Sequence, residues 1–339
     1  MAFLRTPASR FVGLPGWGHA AQYLQPLGDA GPRMAYVDTG PHDAAVTVLC
    51  LHGNPTWGYL YRHMLPVFTG AGLRVVVPDL IGFGQSDKPV DEAWHQFEPH
   101  RQSLLNLVEV LDLRNILLVC QDWGGIFGLT LPIAAQSIAP ETPAASAPRG
   151  GASASGRRDG GQRFTRLLVM NTTLATGETS PGFKAWRDYS NGQPDLAVGK
   201  LLKRGKREMP DAEAAGYDAP FPDASYKAAL RAFPNLVPEG ADAPGAATSR
   251  AAQAFWKNDG ENDGENGGQN DGQNDWQGQS FMAVGALDPV LGLPTMEALR
   301  GHIRGCPPPM VVADGGHFVP EWGAPIAAAA LAHFGLQPA

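Results

Sequence analysis

Seven residues, VCQDWGG at 119–125, constrain this chain more than any other stretch. The run 115–120 is apolar after its first residue and reads as a short buried strand. Gly124 and Gly125 then open a helical pattern, GGIFGLTL. A strand that runs straight into a helix around one reactive residue is a nucleophile elbow, a sharp turn that lifts a single side chain above the sheet. The usual occupant is Ser in a GxSxG pattern. Here it is Asp122, and Cys120 takes the place of the first Gly. The exchange changes the chemistry. A carboxylate needs no proton removed before it attacks, and its attack leaves an ester on the enzyme. Such an ester suits a saturated carbon with a leaving group, or a strained ring, better than it suits cleavage of ordinary esters. The competing reading is an Asp that caps the following helix.

Around the elbow, strand-like runs at 45–51, 73–77, 166–170, 280–284 and 309–313 alternate with helical patterns at 59–68, 100–113 and 326–334. Pro325 is well placed to start the last helix. The strands are nearly continuous in apolar residues, which predicts an α/β fold: a mostly parallel sheet covered by helices on both faces. Between 171 and 279 the strand pattern gives way to helical patterns and Pro-rich turns, read as an inserted helical cap. The expected organisation is a core in two parts, 1–172 and 279–339, with the cap at 173–278. Two low-complexity stretches, about 138–162 and 258–275, interrupt it. Their Ala, Ser, Gly, Asn and Asp content buries too little apolar surface to order itself. The second repeats Asn, Asp and Gly at short spacing, but it lacks the closing Glu and the flanking apolar helices of a calcium loop. No metal is expected.

With 339 residues and 43% hydrophobic content, the chain can build a large core. A net charge of −7 speaks against nucleic acid or an anionic membrane as partner. No apolar run reaches the roughly 18 residues that span a bilayer, and the first residues lack a secretory pattern. Cys50, Cys120 and Cys306 are too few and too odd in number for a disulfide framework. A cytoplasmic monomer or weak homo-oligomer is the expectation.

An elbow nucleophile needs a base, an acid to orient the base, and an oxyanion hole, in the chain order nucleophile, acid, His. His317 lies in ADGGHFVP, just after the last strand, where ligands bind in open α/β sheets. Asp288 lies in ALDPVLG, after the strand at 280–284. It would hold the imidazole in one tautomer and stabilise its cation. Asp314 is a rival, ranked lower because it sits only three residues from His317. The oxyanion hole is expected from the backbone amides of Trp123 and of Asn54, in the HGNPTW loop after the strand at 45–51. The bland alternatives are a His capping the final helix, a turn Asp before Pro289, and an uncatalytic Gly-Pro turn.

Together these residues resemble the haloalkane dehalogenases of the α/β-hydrolase superfamily. The resemblance covers nearly the whole chain outside the low-complexity stretches. It rests on HGNPTWGYLYR at 52–62, GFGQSDKP at 82–89 and QDWGG at 121–125. The position of Asp288, with FKAW at 183–186 and APFPDASY at 219–226, resembles subfamily I. The resemblance implies Asp122 as nucleophile, His317 as base and Asp288 as acid. It implies two tryptophan indoles, Trp123 and Trp186, that bind the departing halide. Phe183, Phe233, Pro234 and Ile126 would line the substrate pocket. The partners implied are a small halogenated alkane, water and a halide ion, with no cofactor. An indole N–H is a donor only, on a rigid apolar frame, so it can stabilise an anion without offering a competing nucleophile. Asn54 stands where subfamily I members often carry Glu, a departure that bears on pocket size rather than on the reaction.

The runner-up is an epoxide hydrolase, which shares the elbow and the His but uses cap tyrosines to protonate the opening ring. Tyr189, Tyr217 and Tyr226 are candidates for that role. A third reading is a non-catalytic binding protein of the same fold, although all three triad candidates are present.

Overall fold

The computed structural model describes residues 2–135, 163–206, 208–257 and 275–337. Except for residue 275, the two stretches expected to be low-complexity insertions lie outside the described residues. Among the described residues, the main sheet has eight strands: β1 (Gln22–Leu24), β2 (Met34–Thr39), β3 (Thr47–Leu51), β4 (Arg74–Pro78), β5 (Ile116–Gln121), β6 (Phe164–Met170), β7 (Gln279–Gly285) and β8 (Met310–Val312). They lie in the order β8-β7-β6-β5-β3-β4-β2-β1. β1 and β2 are antiparallel to their neighbours, and the rest of the sheet is parallel. Every residue of β3 and β5 is buried. A strand buried on both faces has no polar side to offer, which is why both read as continuous apolar runs. The chain steps from β3 to β4 on one side and returns to β5 on the other. The carboxyl ends of β3 and β5 therefore flank a topological switch point, where open α/β sheets bind ligands.

Three expectations are corrected here. The helix expected at 59–68 is a 3-10 turn, Gly58–Tyr61, followed by a short helix, Leu65–Gly70. Pro66 explains the break: without an N–H it can sit in a first turn but not inside a continuous helix. The helix expected at 100–113 is Phe97–Val110. It stops early because Asp112 adopts φ 42°, outside the helical region. The two antiparallel edge strands, and a small ribbon pairing Phe3–Leu4 with Lys88–Pro89, have no counterpart in the sequence reading.

Between β6 and β7 the described residues form helices and no strand. Ser180 opens the helix Pro181–Asn191 by accepting a hydrogen bond from the Phe183 amide at 3.1 Å, with Pro181 at its first turn. This helix places Phe183 and Trp186 three residues apart, on one face. Among the described residues, no helix is long and apolar enough to cross a membrane.

An ion-pair knot ties these helices to the sheet-bearing part. Arg62 is 3% exposed and donates to Glu321 at 2.5 and 2.8 Å and to Glu213 at 2.5 Å. The Tyr217 hydroxyl donates to Glu321, and Arg62 lies over the Tyr59 ring at 4.3 Å. His63, Glu213 and Glu321 bring possible metal-ligand atoms within 4.8 Å of one another. Arg62 already pairs with both carboxylates, so charge balance accounts for the cluster. Arg62→Ala leaves the buried Glu321 carboxylate with only the longer Lys206 ion pair at 3.7 Å, so we expect a loss of about 3 kcal/mol in stability. Chemical denaturation checks this, and an unchanged midpoint would show that the knot carries no net stability.

Candidate active site

Each triad candidate follows the carboxyl end of a parallel strand. Asp122 follows β5, Asp288 lies three residues after β7, and His317 lies in the loop after β8. Asp122 has φ 52° and ψ −125°, a backbone conformation that costs about 1–3 kcal/mol outside glycine. Its surroundings hold it there. The Asp122 amide donates to the Asn171 carbonyl at 3.0 Å, and the Thr172 hydroxyl donates to the Asp122 carbonyl at 2.6 Å. Two glycines make room: a Cβ on Gly53 would fall 2.1 Å from Asp122 Oδ1, and one on Gly124 would fall 1.9 Å from the Leu51 carbonyl oxygen. The Asp122 side chain does not cap the helix that follows, Trp123–Gly128. The capping alternative therefore does not account for it.

Oδ1 of Asp122 accepts a hydrogen bond from the Asn54 backbone amide at 2.8 Å. Oδ2 lies 3.5 Å from His317 Nε2. On the far side of the ring, His317 Nδ1 lies 2.8 Å from Asp288 Oδ2. Asp288 is buried and also accepts from the amides of Val290 at 2.8 Å and Leu291 at 3.1 Å, and from Asn171 Nδ2 at 2.9 Å. Burial alone would push the Asp288 carboxyl up. The His317 ring and these donors outweigh it and hold the group at about 2. Burial likewise works against charge on His317, but Asp288 and Asp122 on either side lift it to about 10. The rival acid, Asp314, instead accepts from the Trp322 indole at 3.1 Å.

His52, two residues before Asn54, has a structural job. Burial pushes it down to about 4, Nε2 accepts from the Leu80 amide at 2.9 Å, and Nδ1 faces the Gly53 carbonyl at 3.0 Å.

A cavity of about 880 Å³ opens over Asp122. Asn54, Asp122, Trp123, Ile126, Phe183, Trp186, Pro234, Asp288 and His317 all line it. Phe233 does not. It is wholly buried behind the wall, with its ring 5.0 Å from that of Trp123 and 4.8 Å from that of Phe83. A helix turns successive residues by about 100°, so neighbours such as Phe233 and Pro234 cannot share one face. Trp123 and Trp186 both line the cavity, and among the described residues neither indole N–H donates a hydrogen bond. The three cap tyrosines are elsewhere: Tyr217 is buried against Arg62 and Glu321, Tyr189 bonds Arg204, and no tyrosine lines the cavity.

Sequence reasoning missed two residues of this site. Asn171 is wholly buried and joins the Asp122 backbone to the Asp288 carboxylate; its Oδ1 also accepts from the Gly285 amide at 2.9 Å. Gln121 lies under the His317 ring. The available signal was a polar residue at the end of an otherwise apolar strand. Gln121 pairs with Met170 across β5 and β6, so Asn171 had to emerge beside Asp122.

A family profile described as alpha/beta hydrolase fold matches residues 46–140. The chain is 37% identical to a haloalkane dehalogenase of Mycobacterium marinum over 332 residues, covering 96% of this chain and 97% of the relative. It is 40% identical over 257 residues to one from Psychrobacter cryohalolentis, covering 74% and 76%. Among solved structures, a tetrameric haloalkane dehalogenase from Paraglaciecola agarilytica matches with a TM-score of 0.84 at 41% identity, covering 98% of this chain and 99% of that one. One from Agrobacterium tumefaciens, at 22% identity and a TM-score of 0.63, shares the fold. The elbow carboxylate, the His beside it and this degree of similarity along nearly the whole length agree: the chain belongs to the haloalkane dehalogenase family.

Proposed function

We propose that this chain hydrolyses haloalkanes to a primary alcohol and halide in two steps, with Asp122, His317 and Asp288 as nucleophile, base and acid. The observation that carries this reading is the Asp122 carboxylate at the cavity wall, with one oxygen held by the Asn54 amide and the other free beside His317. The free oxygen, Oδ2, attacks the carbon; the carbon–halogen bond breaks and halide leaves with the electron pair. Oδ1 becomes the ester carbonyl, already seated against the Asn54 N–H. A water then gives its proton to His317 Nε2 and attacks the ester carbon; the tetrahedral intermediate collapses, the departing alkoxide takes that proton back from His317 to give the alcohol, and the Asp122 carboxyl loses its own proton to solvent. Asp288 stabilises the imidazolium formed in that step. The oxyanion hole is the Asn54 amide together with that of Trp123.

The halide departs toward the indoles of Trp123 and Trp186. A preorganised donor of this kind is worth roughly 2.7–4 kcal/mol of barrier. Phe233 acts from behind, bracing the Trp123 ring rather than touching substrate. Ile126, Phe183 and Pro234 form the apolar wall that excludes water. We place the chain in subfamily I, because its acid follows β7 and Asn171 stands at the end of β6. The division into a core of 1–172 and 279–339 with a cap of 173–278 fits the strand-free described segment between β6 and β7. A cytoplasmic setting fits three cysteines that are free and buried. We further propose a monomer or weak homo-oligomer.

Two outcomes are expected. In His317→Phe, alkylation proceeds and hydrolysis stops, so about one bromide per active site is released from 1-bromobutane and an alkyl adduct appears on the peptide containing Asp122. Normal turnover, or an adduct on another residue, would overturn the assigned roles. Trp186→Phe keeps the ring and removes the donor. Its rate of carbon–halogen cleavage should fall by about 10²–10³, and halide quenching of intrinsic fluorescence should weaken. If both are unchanged, Trp186 is a packing residue.

A further inference from the structure

We propose that Gln121 is a positioning residue for the hydrolytic half-reaction, favouring the form of His317 that carries its proton on Nδ1 and a lone pair on Nε2. The proposal rests on the reading of His317 as the base. Gln121 is the last residue of β5 and is wholly buried. Its Nε2 donates to the His317 carbonyl oxygen at 3.0 Å and lies 3.1 Å from His317 Nε2. A carbonyl can only accept, so the contact at 3.0 Å fixes which end of the amide faces the histidine. The second hydrogen of the NH₂ group is then left for the ring nitrogen. A donor at that point is favourable toward a lone pair and unfavourable toward an N–H. Turning the amide over would set Oε1 against the His317 carbonyl, acceptor against acceptor. Oε1 itself is buried without a partner. An unsatisfied buried acceptor is uncommon, and here it accompanies an NH₂ group committed to the histidine.

The site needs such a device. Asp288 and Asp122 face the imidazole from opposite sides, and both favour its cation. Arg204, Glu178 and His302 line the same cavity. While Asp122 and Asp288 are both ionised, His317 is held protonated through neutral pH, and an imidazolium cannot take a proton from water. Esterification removes the Asp122 charge. Gln121 acts in the same direction throughout the cycle, bringing the base nearer to working pH. The attacking water competes for the same lone pair, so the amide is a placeholder that the water displaces.

The test uses the full chain and two variants, Gln121→Met and Gln121→Glu. Methionine keeps the length and removes the donor. Glutamate puts a further carboxylate against the ring, which raises a neighbouring cationic group by about 1–3 units. Bromide burst, ester accumulation and steady-state turnover are measured with 1-bromobutane across pH, and His317 is titrated by NMR with nitrogen-labelled histidine. We expect the acidic limb of kcat and the His317 midpoint to move up in both variants, by at least about one unit in Gln121→Glu. Alkyl ester should accumulate while the burst rate changes less than about threefold. An unmoved His317 midpoint in the variants that fold, or an alkylation step slowed as much as hydrolysis, overturns the proposal. If the parent chain releases no halide from any haloalkane, the reading of the reaction fails instead, and the titration still decides what Gln121 does.

Discussion

A bare carboxylate must stand in an apolar cavity, on a backbone that a non-glycine residue resists. Much of the site follows from that constraint. The strain at Asp122 persists because its amide, its carbonyl and one carboxylate oxygen are all held by two strand-end loops: Asn171 and Thr172 after β6, and Asn54 after β3. None of these partners neutralises the charge. They fix its position and leave Oδ2 exposed to substrate, which is what a nucleophile requires and what an N-cap would have consumed.

Charge bookkeeping explains the rest of the architecture. Alkylation does not create charge; it moves one negative charge from Asp122 onto the departing halide inside the cavity. The protein therefore needs an anion site that is empty before the step and filled after it. Trp123 and Trp186 line that cavity, and an indole N–H is a donor only, so it can face an anion without competing with Asp122 for the carbon. Hydrolysis, by contrast, makes a transient cation on His317, and Asp288 is held ionised for it by amide donors and Asn171. The two half-reactions thus meet at one residue, Asp122.

How much of this could be read from the sequence depended on whether local chemistry or tertiary position decides a residue's role. Asp122 stood out because the strand, the acidic residue and the glycines are contiguous. His317 and Asp288 were legible because each follows a strand within a few residues. Phe233 was not, because a one-residue step on a helix separates the cavity wall at Pro234 from the packed layer behind it. Gln121 and Asn171 escaped notice because their work is done on residues from distant loops, which spacing along the chain cannot reveal. The antiparallel strands β1 and β2 were missed for a related reason: β1 is short and largely exposed, and β2 ends in Asp38 and Thr39, so neither shows the fully apolar run of the central strands.

The cap and the base share one further connection. Glu321 lies four residues beyond His317, and it bonds Arg62 from the core and Tyr217 from the cap, while Lys206 donates to its backbone carbonyl at 2.9 Å. The segment that carries His317 is therefore tied to Arg62, Tyr217 and Lys206 at one point. A clamp at that point limits drift of the imidazole relative to Asp122, and a displacement of about 1 Å can cost a catalytic group 10²-fold in rate. The Arg62 knot thus fixes the segment that carries His317 against the helix Asp211–Asp218, so one set of buried contacts serves both stability and the geometry beside Asp122.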